Sequence, residues 1–236
     1  MYFVVGDIHG CYEEMKEILK HWNKDKERLV LLGDLIDRGP DSLACVQLAM
    51  KLVKEYGAIV LSGNHEELFC EWLNMENDLD FYYMDIFDNT IKALLHSEKN
   101  VLIRLSKDEI SSRIKILYPE VLEFMGNRPL YYETGKLLFV HAGCNLTPNW
   151  KDDAEKDCLW IRSPFIYGKN KTGKHIVFGH TPTSNIHIDK SNKIWESPCG
   201  SKTGIDGGCV FGGQLNAIVI NDNREILHQY SVSRKS

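Results

Sequence analysis

Short apolar runs that break off abruptly at glycine or a polar side chain punctuate the chain. Tyr2–Val5, Arg28–Leu32, Ala58–Leu61, Leu137–Val140 and His175–Phe178 are β-rich and almost wholly apolar. That pattern predicts strands buried on both faces. Between the first two, Tyr12, Met15, Leu19 and Trp22 recur at spacings of three, four and three, one face of an amphipathic helix. A second helix is predicted after Pro40, capped by Asp41 or Ser42, with Leu43, Val46, Met50 and Val53 facing inward and Gly57 stopping it. The opening order β-α-β-α-β argues for a parallel or mixed sheet covered by helices.

From about Glu66 to Arg128 the pattern changes. Helix formers and aromatics (Phe81, Tyr82, Tyr83, Phe87) replace strand signals, so residues 66–128 read as a helical insertion between two sheet strands. The aromatics are expected to pack this insertion onto the sheet. Short strands return at Ile194–Glu196, Leu215–Ile220 and Glu225–Tyr230, the last two joined as a hairpin at Asn221-Asp222-Asn223. No repeat or low-complexity linker divides the chain, and a single domain over residues 1–236 is expected.

Composition narrows the class. The 236 residues are 43% hydrophobic and 26% charged, an ordinary globular balance. A formal net charge of -5 gives no electrostatic reason to expect long nucleic acid or an anionic membrane as partner. No apolar run approaches the ~20 residues that span a bilayer. The opening MYFVVGDIHG lacks a basic segment and meets Asp7 early, so no signal peptide is expected. Seven scattered cysteines, none in a CxxC pair, suit small buried hydrophobes in a reducing compartment. A cytoplasmic protein is the expectation. Nothing in the sequence fixes its oligomeric state.

Chemistry enters at the strand ends. The five runs deliver, in order, Gly6-Asp7-Ile8-His9-Gly10, Gly33-Asp34-Leu35-Ile36-Asp37-Arg38-Gly39, Ser62-Gly63-Asn64-His65-Glu66, His141-Ala142-Gly143 and Gly179-His180-Thr181. Ligands of α/β sheets gather at the carboxyl ends of strands. Carboxylates meeting there repel one another unless a cation stands between them. An oxygen-and-nitrogen shell of this kind suits divalent first-row metals. One Asp-x-His would be an ordinary turn; five strand ends of the same kind are not. His21, His96, His175, His187 and His228 lack the context and read as structural or surface histidines.

The motifs GDIHG, GDLIDRGP, GNHE, HAG and GHT, spanning residues 6 to 181, closely resemble the phosphoprotein phosphatase branch of the calcineurin-like metallophosphoesterases. The segment IDGGCVFGGQL at 205–215 is similar to that of short bacterial and phage members, and the SAPNYC segment of the long eukaryotic members is absent. The resemblance implies an α/β fold, a four-layer αββα sandwich of two mixed sheets. It implies that Asp7 and His9 bind one metal, that Asp34 bridges, and that Asn64, His141 and His180 bind the second. It further implies His65 as general acid oriented by Asp37, with Arg38, Asn64 and Arg162 (in WIRSP) on the phosphate. Asp206 returns near the site, without an assigned ligand role.

This set has a chemical logic. Two cations about 3.5–4 Å apart share a water, lower its pKa and yield a bridging hydroxide that attacks phosphorus in line. Arginines absorb charge on the equatorial oxygens through bidentate bonds. A histidine opposite donates the proton to the leaving group, worth ~10²–10⁴ in rate. The expected cofactors are therefore two divalent metal ions, manganese first, with iron or zinc as alternatives. The resemblance implies a serine/threonine protein phosphatase acting on a phosphorylated protein. The alternative is a symmetrical bis(5'-nucleosyl)-tetraphosphatase acting on a dinucleoside polyphosphate. An open groove would suit the first, and a walled pocket with exposed aromatics the second. A catalytically dead phospho-binding scaffold would have lost a ligand or the acid, and neither is missing.

Overall fold

The computed structural model of the protein describes residues 1–75, 80–95 and 105–235, with residues 80–85 described by their backbone only. The first five-stranded sheet takes β1 (Tyr2–Val5), β2 (Arg28–Leu31), β3 (Ile59–Val60), β9 (Gln214–Ile220) and β10 (Ile226–Ser233). The second takes β4 (Tyr131–Thr134), β5 (Leu137–Val140), β6 (His175–Phe178), β7 (Trp195–Glu196) and β8 (Lys202–Gly204). Their orders are β10-β9-β1-β2-β3 and β4-β5-β6-β8-β7. In each sheet three strands run parallel, β1-β2-β3 and β5-β6-β8, with antiparallel strands beside them. Both sheets are mixed, as expected.

Strand alternation sorts the core into layers. On β1, Tyr2 and Val4 face the second sheet, where they meet Leu137, Phe139 and Val177 in a dry inter-sheet layer. Phe3 and Val5 face outward under the helices. That outer layer holds α1 (Tyr12–Ile18), α2 (Ser42–Tyr56), α3 (Asn64–Trp72), α4 (Asp80–Leu95), α5 (Lys107–Leu117) and α6 (Pro119–Gly126). The far face of the second sheet is covered by α7 (Ala154–Trp160) and α8 (Ser163–Tyr167), whose Cys158 and Phe165 pack on Leu138, Val140 and Phe178. The stack is a four-layer αββα sandwich.

Local chemistry sets the element ends. Gly57 closes α2 in the left-handed conformation (φ 65°), and its N–H and that of Ala58 satisfy the last carbonyls of the helix. Ser106 and Glu109 form a reciprocal capping box on α5, and Pro119 opens α6. The expected inward face of α2 is shifted: Leu43, Val46, Ala49 and Leu52 are buried, whereas Met50 and Val53 are only partly so. Of the aromatics at 81–87, Phe87 packs against Phe69 and Trp72; the side chains of Phe81, Tyr82 and Tyr83 lie outside the described residues. The final strand starts at Ile226 and runs past Tyr230 to Ser233.

Two strands have no counterpart in the hydrophobic pattern. β8 is a lysine, a threonine and a glycine, all buried. Lys202 is accommodated because its ammonium donates to the carbonyls of Phe165 (2.6 Å), Ile166 (2.8 Å) and Gly168 (2.9 Å). β4 is a polar edge strand, half-buried throughout. Cys11, Cys45, Cys144, Cys158 and Cys209 are buried as expected, but Cys199 is exposed. Among the described residues, no helix is long and apolar enough to cross a membrane.

Candidate metal centre

The loops after β1, β2, β3, β5 and β6 converge where the two sheets present their parallel strand ends. Asp34 stands at the middle. Its Oδ2 lies 3.3 Å from His9 Nε2 and 3.5 Å from His141 Nε2. Donor atoms of His9, Asp34 and His65 fall within 4.8 Å of one another, as do those of Asp34, His141 and His180. Asp34 belongs to both groups. Asp7, grouped with His9 from sequence, accepts the backbone N–H of His180 on both oxygens (3.0 and 2.9 Å). It thereby ties a loop of one sheet to a loop of the other.

The proton pattern argues for cations. His9 Nδ1 donates to the Ile36 carbonyl (2.8 Å) and His141 Nδ1 to that of Leu32 (3.0 Å). A neutral ring so bound carries its lone pair on Nε2. His141 Nε2 nevertheless sits 2.9 Å from the Asn64 side-chain oxygen and within reach of Asp34. Acceptors aimed at one another need a positive charge between them. Among the described residues His180 Nε2 is buried without a hydrogen-bond partner, a costly orphan for a ring nitrogen unless it has a metal to bind. The donor set therefore fits divalent metal ions.

Ionisation points the same way. Burial raises Asp7 well above the ordinary carboxylate range, and Asp206 and Asp34 push it further. Burial likewise raises Asp34, with Glu66 adding to it. The histidines move oppositely: burial holds His141 at about 3 and His9 and His180 well below their usual value. Neutral imidazoles beside crowded carboxyls are a donor set that suits a divalent cation.

The loops are held in uncommon shapes. Non-glycine residues with left-handed φ include His9 (46°), Asp34 (50°), Asp37 (71°), Arg38 (69°) and His180 (61°). Such conformations persist only where the surroundings over-determine them. Glu66 supplies much of that constraint, its carboxylate accepting the N–H groups of Leu35 (2.7 Å), Asp34 (3.0 Å), Gly63 (3.0 Å) and Ile36 (3.2 Å). Gly179 and Gly63 are required by close approach. A Cβ on the first would stand 2.0 Å from Asp7 Oδ1, and one on the second 2.2 Å from Asp34 Oδ1.

Beside this cluster His65 Nδ1 lies 2.6 Å from Asp37 Oδ2, and Arg38 donates to His65 Nε2 (3.0 Å). Burial, then Arg38 and Arg162, lowers His65 to about 3, while burial raises Asp37 to about 7. Arg162, an exposed residue at the cavity rim, donates to the His180 carbonyl (3.0 Å) and to Thr181 Oγ1 (3.2 Å). All the sequence-predicted side chains are thus in one neighbourhood. His9, Asp34, Arg38, Asn64, His65, Arg162 and His180 line a cavity of about 840 Å³, flanked by Trp160 and Phe211, with Asp7, Asp37 and His141 buried behind them. His175, by contrast, opens β6 at the end away from the cluster and is engaged by Gly200 and Thr203.

Sequence reasoning left Asp206 without a role. It follows β8, is buried at the cavity, and burial raises it to about 6, although its Oδ1 accepts the Gly208 N–H (2.9 Å). Its one signal in the sequence is an Asp set between glycines, Gly204-Ile205-Asp206-Gly207, without the apolar run that marks the other loops.

The family model for calcineurin-like phosphoesterases matches residues 2–214. The chain is 28% identical to a bis(5'-nucleosyl)-tetraphosphatase PrpE (asymmetrical) of Anoxybacillus flavithermus, over 92% of this chain and 89% of that protein. It is 30% identical to serine/threonine-protein phosphatase 1 of Salmonella typhimurium, over 90% and 88%. The crystal structure of a metallophosphoesterase from Sphaerobacter thermophilus aligns with a TM-score of 0.57 at 16% identity, covering 99% of this chain and 89% of that one, a likeness of fold alone.

Proposed function

The chain belongs to the calcineurin-like phosphoesterase family and is a metal-dependent phosphoric ester hydrolase, and on that premise we propose that its substrate is a dinucleoside polyphosphate. Bound divalent cations, with manganese proposed ahead of iron or zinc, supply charge that acidifies water and polarises phosphoryl oxygens. Asp7 and His9 would hold one ion, Asn64, His141 and His180 the other, with Asp34 shared. Arg38 and Arg162 bind the phosphate oxygens, joined by Asn64. A phosphate anion competes with His65 Nε2 for the Arg38 guanidinium; the freed Nε2 takes up a proton, Asp37 stabilises the resulting imidazolium, and that proton passes to the leaving oxygen. Asp37 keeps the His65 ring in register by holding Nδ1.

The observation that carries the substrate class is the aromatic flank. Phe211 is 64% exposed, with Arg38 stacked over its ring at 5.0 Å. Trp160 is 40% exposed, edge-on to His180 at 6.3 Å between ring centres. Exposed rings beside a cavity of this volume suit nucleobase stacking, worth about 1–3 kcal/mol per base. The tetraphosphatase relatives support the same reading, and their name makes asymmetrical rather than symmetrical cleavage the form to test.

The test is a parallel assay of manganese-loaded protein on diadenosine tetraphosphate and on a phosphopeptide panel. The proposal predicts the higher kcat/KM on the dinucleotide, with AMP and ATP as products. It also predicts that Trp160→Ala or Phe211→Ala raises the dinucleotide KM by about tenfold. A second reading, serine/threonine protein phosphatase, is supported by the Salmonella relative. A higher kcat/KM on phosphopeptides, untouched by either aromatic substitution, would replace the first reading with the second.

A further inference from the structure

Between β3 and β4 the chain runs through helices, and one of them reaches back into the site. Thr90, on α4, is buried. Its hydroxyl accepts the Asp37 N–H (3.0 Å) and donates to Asp37 Oδ1. Ser42 Oγ joins the same group, 3.1 Å from the Asp37 nitrogen and 3.0 Å from the Thr90 hydroxyl. The neighbouring Asn89 donates its amide to the Arg38 carbonyl (2.6 Å). Asp37 and Arg38 are consecutive residues in left-handed backbone, with φ of 71° and 69°. Two such residues in a row do not hold themselves. Consecutive polar side chains of α4 thus clamp consecutive strained residues of the Asp-Arg-Gly turn.

We infer that Thr90 and Asn89 are positioning residues through which the α4 helix sets the orientation of Asp37, and hence His65, and of Arg38. Asp37 has two carboxylate oxygens, one on His65 Nδ1 and the other on Thr90. Without the hydroxyl, the carboxylate can rotate about its own axis and the His65 ring loses its fixed aim. Asn89 acts one residue further on, holding the peptide from which the Arg38 guanidinium extends. Phe87, Ile91 and Leu94 of α4 pack in the outer core with residues of α2 and α3. The inference rests on the acid role of His65 proposed above.

Aryl phosphates of differing leaving group separate this role from simple structural support. Thr90→Val keeps shape and removes the hydroxyl. It should lower kcat about tenfold on phenyl phosphate, whose leaving group needs the proton, and less than about threefold on p-nitrophenyl phosphate. KM should stay within about twofold, and Thr90→Ser should recover most of the lost rate. Asn89→Ala, at the exposed end of the clamp, should instead raise KM for both esters by about three- to tenfold at nearly constant kcat. His65→Asn sets the reference, with a steep leaving-group dependence. Equal losses on both esters in Thr90→Val, or wild-type behaviour beside a steep His65→Asn, would overturn the inference alone. Should Thr90→Val not fold, an unchanged KM in Asn89→Ala would do so. A His65→Asn variant with no leaving-group dependence would bring down the acid assignment and this inference together.

Discussion

The layer between the two sheets and the loops at the ends of the same strands are a few residues apart and built on opposite terms. Val4 packs among Phe139, Val177 and Ile218 in regular extended backbone without a polar atom to satisfy. Three residues on, Asp7 is a carboxyl pushed away from its ionised form by burial first and by Asp206 and Asp34 after it. Five of the seven non-glycine residues with left-handed φ among the described residues, His9, Asp34, Asp37, Arg38 and His180, lie in those loops. The strands supply the stability, and the loops use it to hold charges and backbone shapes that would not survive alone. The two regions should therefore respond to substitution in opposite ways.

The sharpest way to break that contrast is Asp34→Asn. It should cut kcat by more than the about 10–100-fold typical of groups behind the ligands, while the metal-free protein stays folded. Circular dichroism beside an ester assay reads both effects. Glu66→Gln comes next. It weakens the acceptor of four loop N–H groups, and activity and metal affinity should fall by about 10–100-fold. In the layer, Phe139→Ala should do the converse, costing about 3–5 kcal/mol of stability by chemical denaturation while the folded fraction keeps its kcat. The smallest effect expected is a gain. Asp206→Asn relieves a buried carboxylate that is ionised at pH 8 against its raised pKa of about 6. The metal-free protein should melt about 2–6 °C higher at that pH, with activity lowered. A fall in its melting temperature would mean that the loop carboxylates stabilise the fold, contrary to the comparison.

The same division explains what was legible from sequence. β1, β5 and β6 coincide with their apolar runs, because a strand buried on both faces leaves no other reading. The Asp- and His-bearing loops were legible because a glycine and an Asp, Asn or His follow each such run within three residues. β8 was hidden because Lys202 is buried only through carbonyls of a helix 34 to 37 residues away in sequence. Thr90 and Asn89 carried no local signal at all. A threonine on a helix becomes informative only when the fold sets it against Asp37, and Trp160 and Phe211 likewise acquire meaning from the cavity they flank. Chemistry written at strand ends can be read along the chain; chemistry assembled across elements cannot.

The central claim is that acceptors converging on Asp34 are kept apart by a pair of cations. Anomalous diffraction from crystals grown with manganese tests it directly. Two peaks sharing Asp34 are predicted, one also beside His9 and one beside His141 and His180 Nε2. A map with no peak at Asp34, and His180 Nε2 still without a partner, would contradict it.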